Sequence, residues 1–536
     1  MEQRWVNLEV EGQAPDQPLV SNKWYALAVD VDVELRPGSA AGAAFSGEEA
    51  FAEGETEITL TVQLDTADFE TSDRERPFRL ARTGRALTRA RFDIRPLHDG
   101  PSTLKATIHK QGNFIQQIDV TFDVGAARAA PVQSVSRGRA IAAADMVKPR
   151  DIGLSISPSV GGYDCIVWGA VMTRAKLPLQ PAYLASAIDA ARDEVMKVVM
   201  YKDANGDYSF QKAIAIPDAD RDAALKILAR AGAQLFHKLF FGPAAADDSK
   251  RVGKFLRDMA SRREGRLQLQ IVSESTPVPW GLLYVGDASE GATLDWDNFI
   301  GMRHVIEQIP LQTSMSVSDS LIRSDNPKLS VSVNVNSTID AQMHAHFVSD
   351  QQSYWADRAR SGLNLRLVNR TRSSEFKRAL ASTTTDDQIL YLYCHAEAAG
   401  LNDPGGPDAS SLVLSDARVT LGDLNLDAPT DTQLRGNPLV FINACESAQM
   451  SPAFYDGFVP YFMAKGARGV VGTECQTPAL FAAEWAERFF ERFLGGEALG
   501  ELFLGLRQDF LKQYGNPLGL MYAVHCDGDT QIQPGL

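Results

Sequence analysis

A cysteine and a histidine, each closing a short apolar run, carry the chemistry this chain offers. The cysteine ends LVFINAC (439–445), with Glu446 and Ser447 after it; the histidine ends ILYLYCH (389–395), 50 residues earlier. Both runs are short, rich in β-formers and without clean alternation, the pattern of strands buried on both faces. In a doubly wound sheet, reacting groups collect beyond the carboxyl ends of the strands, which places Cys445 and His395 at one rim if the two strands are neighbours. A thiolate there attacks a carbonyl, and an imidazole beside it holds the pair in its reactive form and later protonates the leaving amine. Backbone N–H groups of Cys445 and Ala396, just past the two strands, are placed to hold the oxyanion. Either residue alone reads as packing, since cysteine is among the most buried residue types. The pair at matching strand ends points to catalysis.

The elements that must position this pair fall into three regions. Residues 1–125 alternate apolar and polar positions in short runs such as WYALAVDVDVEL and EITLTVQL, and end in a hairpin-like STLKATIHKQGNFIQQIDVTFDV. This predicts an all-β, immunoglobulin-like antiparallel sandwich. Residues 126–149, low in large apolar residues and rich in Ala, Arg and Ser, read as a linker. From about 150 onward strands alternate with amphipathic helices, one over roughly 181–200 with Leu184, Ile188, Ala191, Val195 and Val199 on one face, another over about 219–240. A second α/β unit follows SDNP (324–327), with strands at 329–335, 363–368, 389–395, 439–445 and 469–475 and helices to about 360, over 478–494 and over 497–513. A mostly parallel sheet flanked by helices is the economical topology.

The chain of 536 residues implies several domains, and 44% hydrophobic with 23% charged residues is a globular composition. A balance of 68 acidic against 53 basic residues leaves a net charge of −15, which disfavours nucleic acid and anionic membrane as partners. No stretch reaches the ~18 apolar residues of a membrane span, and the amino terminus lacks a basic flank followed by an apolar core, so a cytoplasmic protein is expected. Five cysteines without CxxC spacing suggest neither a disulfide framework nor a zinc site. No GxSxG elbow, HExxH helix or P-loop is present, and neither a metal nor an organic cofactor is expected.

YLYCHA, then FINACESA, then AKGARGVVGTECQTP and FFERFLGGEALGELFLGLRQDF, with PVPWGLLY upstream, together resemble the CHAT domain, a caspase-like cysteine peptidase of the group that includes separase. The resemblance spans about 150–536. It implies an α/β caspase-like fold with a non-catalytic half over 150–318 and a catalytic half over 319–536. It also implies that Cys445 is the nucleophile, His395 the general acid/base, and the Ala396 and Cys445 amides the oxyanion hole. The family's glycine after the histidine is Ala396 here, and a separase-type acid that receives arginine aligns with Gln476. Glu474, the nearest acid, is a candidate wall for the residue preceding the cleaved bond; its alternative is a carboxylate fixed by a backbone amide or by an arginine such as Arg468. Asp416 and Glu446 are further candidates for substrate binding. The resemblance implies a bacterial endopeptidase in a defence or regulated-proteolysis setting. The substrate it implies is a protein such as a toxin, pore-former or regulator encoded nearby, and an activating partner would be received by residues 1–125. The alternatives from other classes are a catalytically silent scaffold and a small-molecule sensor.

Overall fold

The computed structural model describes residues 4–15, 17–45, 50–125, 132–138, 147–169, 173–261, 265–274, 278–311, 320–323, 328–361, 364–397, 399, 404–444 and 453–533. The chain divides into two compact units, 1–150 with 311–320, and 151–310 with 321–536.

The strands of the first unit are β1 (Arg4–Val10), β2 (Tyr25–Asp32), β3 (Ala41–Phe45), β4 (Glu57–Asp65), β5 (Phe69–Thr71), β6 (Glu75–Ala81), β7 (Ala90–Pro96), β8 (Gly100–Lys110), β9 (Asn113–Val124) and β10 (Gln133–Gly138). They form two antiparallel five-stranded sheets, β3-β1-β2-β7-β5 and β10-β9-β8-β4-β6, whose inner faces share one core built from Leu8, Leu27, Phe92, Leu60, Ile108 and their neighbours. The β8–β9 hairpin turns at Gln111 and Gly112, both at positive φ (49° and 78°), the pair of left-handed residues that matches strand twist in a two-residue loop. β10 corrects the sequence reading: it lies inside the expected linker, yet it pairs antiparallel with β9 from Gln133↔Thr121 to Gly138↔Gln116. Its residues are partly or fully exposed, so no apolar period marks this edge strand in the sequence.

The second unit opens with β11 (Ile152–Ser159), β12 (Gly162–Gly169), β13 (Thr173–Leu177), α1 (Pro181–Val199), α2 (Ser209–Lys212), α3 (Asp218–Phe240), α4 (Asp247–Ala260), β14 (Gln268–Ser273), α5 (Ile300–Arg303) and β15 (Val305–Pro310). Their sheet runs β13-β12-β11-β14-β15, with β11, β14 and β15 parallel and β12 and β13 antiparallel. There follow β16 (Leu321–Ile322), β17 (Leu329–Val335), α6 (Thr338–Met343), α7 (Phe347–Arg360), β18 (Leu365–Arg370), α8 (Ser373–Ala381), β19 (Ile389–Glu397), β20 (Ser411–Val413), β21 (Arg418–Thr420), α9 (Leu421–Asp427), β22 (Leu439–Ala444), α10 (Ala453–Ala464), β23 (Gly469–Thr473), α11 (Ala479–Leu494), α12 (Leu499–Tyr514), β24 (Tyr522–His525) and β25 (Gln531–Ile532). The larger sheet is ordered β18-β17-β19-β22-β23-β24; neighbours are parallel through β23, and β24 closes it antiparallel.

Both faces of this sheet are buried. On β19, Ile389, Tyr391 and Tyr393 join the core under α11 and α12, whereas Leu390, Leu392, Cys394 and Ala396 join a second core with Phe458 and Phe462 of α10. The long helix expected to reach residue 360 is broken instead: His344 adopts φ 49° between α6 and α7, which ends the first helix in a left-handed residue. Among the described residues no helix is long and apolar enough to cross a membrane.

His109 in the first unit and His525 on β24 are buried, and burial holds each imidazole down to about 3. An unfolded histidine takes its proton near 6.5, so as pH falls the unfolded chain binds protons before the folded one and stability is lost between about 6.5 and 3. The denaturation midpoint is expected to fall from pH 7 to 5, and less steeply in a His525→Leu variant; equal slopes would contradict the assignment for His525.

Candidate functional site

The parallel ladder of β19 with β22 runs from Ile389↔Leu439 to Cys394↔Ala444, and that with β17 ends at Val335↔Tyr393. His395 is therefore the first residue of β19 beyond the parallel sheet. The strand does not stop there, as the sequence suggested; it continues to Glu397 in an antiparallel pairing with β20, His395↔Val413, Ala396↔Leu412 and Glu397↔Ser411. Ala396 is thus inside a ladder rather than just past one. It is buried among Leu390, Leu412 and their neighbours in extended backbone, which alanine adopts as readily as any residue.

His395 Nε2 lies 3.1 Å from Oε1 of Gln342 on α6. Gln342 carried no signal in the sequence, because the contact joins residues 53 apart on different elements. The turn between β20 and β21 is fastened to the same corner. Ser415 Oγ accepts from the Ser337 backbone N–H at 2.9 Å, just ahead of α6. Asp416, a candidate for substrate binding, accepts from the N–H of Ser373 at 2.7 Å and from its hydroxyl at 3.2 Å, and these bonds hold its carboxyl below the usual range. It caps the start of α8.

Asn443, two residues before the cysteine, is fully buried and bonded three ways: Nδ2 donates to Ala482 O (2.8 Å) and Tyr391 Oη (3.2 Å), and Oδ1 accepts from Tyr522 Oη at 2.6 Å. Tyr393 Oη donates to Ala479 O at 3.2 Å, so two adjacent strand ends are tied to the beginning of α11. Cys445 and Glu446 lie outside the described residues.

Glu474 follows β23 directly. Its N–H donates to Met521 O at 2.6 Å, and Oε2 accepts from Arg192 Nη2 at 2.8 Å, both side chains being buried. The arginine is Arg192 of α1, not Arg468, whose Nε donates to Asn437 O. Burial pushes the Glu474 carboxyl up, and the guanidiniums of Arg192 and, more weakly, Arg507 draw it back. Arg507, also buried, donates to the carbonyls of Gly519, Gly301 and Tyr522, and desolvation lowers it to about 10. Gly281 and Gly301 leave room for it, since a Cβ at either would meet the guanidinium at 3.3 or 3.0 Å. Gln476 is half-buried in the loop before α11. Among the described residues no group of three or more His, Cys, Asp or Glu side chains is placed to hold a metal ion.

Residues 229–513 match the family model of the CHAT domain, more than half of the chain. The chain belongs to the CHAT family. A probable protease of Vitiosangium sp. (strain GDMCC 1.1324) is 32% identical over 159 residues, 26% of this CHAT chain and 19% of that protein, so the chain spans under a fifth of its relative's length. Two crystal structures of the Saccharomyces cerevisiae separase-securin complex, at 3.0 and 2.6 Å, align with a TM-score of 0.37 and 10% identity, covering 71% of this chain and 30% of theirs.

Removing one member of a buried ion pair leaves an uncompensated charge, whereas removing both does not. Arg192→Met is expected to lower the unfolding free energy by about 3–5 kcal/mol, and Arg192→Met/Glu474→Gln by under about half of that. Chemical denaturation of the two variants measures this; equal losses would show that the pair is not the source.

Proposed function

We propose that this CHAT protein is a caspase-like cysteine endopeptidase acting through Cys445 and His395. One observation carries the reading: the register that sets Cys394 opposite Ala444. Cys445 is bonded to Ala444, so its Cα lies about 3.8 Å from a strand end that is itself about 4.8 Å from β19. His395 is one step along the same rim. In strand alternation, His395 has the parity of Tyr393, which lies on the α11 side as does Asn443 of β22.

With the Gln342 oxygen as acceptor, the His395 proton resides on Nε2, and Nδ1 is the nitrogen that takes the thiol proton. The thiolate of Cys445 adds to the peptide carbonyl, and the oxyanion is met by the amides of Cys445 and Ala396. Collapse breaks the C–N bond as the imidazolium protonates the leaving amine. Water, deprotonated by His395, then hydrolyses the thioester. Ala396 lies in extended backbone, which alanine adopts as readily as glycine, and this supports the peptidase reading over a silent scaffold.

The finer fold is part of the same reading. Residues 151–310 correspond to the non-catalytic caspase-like half, and the amino-terminal unit to an immunoglobulin-like sandwich that receives an activating protein. Exposed Val20, Trp24 and Leu97, with Arg95 over the Trp24 ring at 5.1 Å, offer such a partner an apolar face. A cytoplasmic bacterial setting, with a neighbour-encoded toxin, pore-former or regulator as substrate, completes the proposal.

The four described cysteines, Cys165, Cys394, Cys475 and Cys526, are all buried, and burial raises the thiols of Cys165 and Cys526 to about 12 and that of Cys475 further. Iodoacetamide at neutral pH is therefore expected to label Cys445 first, with the label lost in Cys445→Ala. Co-expression with the proteins encoded beside it is expected to yield a fragment with wild type and none with Cys445→Ala. Gln342→Ala is expected to lower kcat on the order of tenfold with little change in KM, the worth of one hydrogen bond to the imidazole. No Cys445-dependent fragment, together with equal labelling of all five thiols, would defeat the proposal.

A further inference from the structure

Gln342, the partner of His395, is itself held. Thr338 and Gln342 stand four apart on α6, so their side chains meet on one face, and Gln342 Nε2 lies 3.3 Å from Thr338 Oγ1. Thr338 in turn meets Asn336, the residue that follows β17 directly: its Oγ1 is 2.7 Å, and its backbone nitrogen 3.0 Å, from Asn336 Oδ1. Asn336 is 1% exposed, and its own N–H donates to Tyr393 O at 2.9 Å, two residues before His395 on β19. Ser337 donates from its N–H and from its hydroxyl to Ser415 Oγ, each at 2.9 Å. The chain of contacts thus starts from a buried anchor on the strand that carries the histidine.

The donors in this chain follow one from another. A backbone nitrogen only donates, so the atom of Asn336 that meets it is the carbonyl oxygen; the amide NH2 there would set donor against donor. The Thr338 hydroxyl has a single proton, and the same oxygen takes it. Thr338 Oγ1 is left with lone pairs, and Gln342 must turn its NH2 to them. The Gln342 oxygen is then the atom 3.1 Å from His395 Nε2, and that nitrogen carries the proton. One backbone N–H therefore sets the sense of three side chains and, through them, the tautomer of the histidine. Without the threonine hydroxyl the amide can rotate by half a turn, present NH2 to the ring and draw the proton to Nδ1, which must hold a lone pair for the thiol proton. The imidazolium is disfavoured as well, since its Nε2–H would then meet a donor.

We propose that Thr338 is a positioning residue: its hydroxyl orients the Gln342 amide and so holds the His395 proton on Nε2. This rests on the peptidase reading above.

A glutamate at 342 offers the ring an oxygen in either orientation, which separates this role from a structural one. The readout is the rate at which iodoacetamide labels Cys445 of the full-length protein at neutral pH, since alkylation follows the thiolate that the imidazole sustains. Thr338→Val is expected to slow it about threefold to tenfold, the worth of one hydrogen bond, and Thr338→Ser to leave it as in wild type. In a Gln342→Glu background, Thr338→Val is expected to change it by less than about twofold. A slowing that persists in that background overturns the inference, because the threonine would then be acting through the fold; so does an equal rate in Thr338→Val and wild type. The proton itself is seen by 15N NMR of histidine-labelled Cys445→Ala protein at about pH 8.5, where an ordinary imidazole is neutral, with His395 assigned by its loss in His395→Gln. Nε2–H is expected in that protein, and a resolved Nδ1–H share once Thr338→Val is added. Nδ1–H before the substitution overturns the inference and leaves the peptidase standing. No selective labelling of Cys445 in wild type removes the peptidase reading and the inference together.

Discussion

The register of β19 against β22, in a sheet packed on both sides, is the constraint on which the rest of the molecule depends. A slip of β22 by one residue would turn Phe441 and Asn443 away from α11 and toward the core beneath α10. It would part Phe441 from Tyr391 (5.7 Å) and Phe490 (5.3 Å) and strip the fully buried Asn443 of all three partners. Those losses lock the alignment, and with it the end of β22 relative to His395. Packing that looks like ordinary core construction is thus what sets the rim at which β19 and β22 end.

Buried charge does a related task between distant parts of the second unit. Arg192 and Glu474 are 282 residues apart, and Arg507 reaches carbonyls at Gly301, Gly519 and Tyr522, so α1, α5, β24 and α12 converge on one polar knot. Such a knot adds little net stability, because desolvation offsets attraction. Its effect is on choice: the elements meet in one arrangement or leave a charge stranded.

What could be read from the sequence follows from the range of the forces involved. β17, β22 and β23 were legible because strands buried on both faces are written as apolar runs, and α1, α3, α11 and α12 because amphipathic helices repeat their apolar face locally. β24 was missed: four residues after α12 give too short a run to announce a strand, and its antiparallel pairing to β23 is a matter of topology. The break at His344 carries no glycine or proline to mark it. At the site, Cys445 and His395 stood out because residue type and spacing are local facts. Arg192 and Gln342 did not, since each reaches its partner across a gap in sequence that nothing nearby encodes. The bonds from Asp416 to Ser373 were not legible, because a carboxylate in a loop looks the same in sequence whether it meets a ligand or the start of a helix.

The bond from Tyr522 to Asn443 ties the last strand of the sheet to the residue two places ahead of the sulfur. The carboxyl-terminal segment therefore acts as a mooring for the end of β22. A chain cut short of β24 would keep β19 and β22 and yet hold their shared rim on a slack rope.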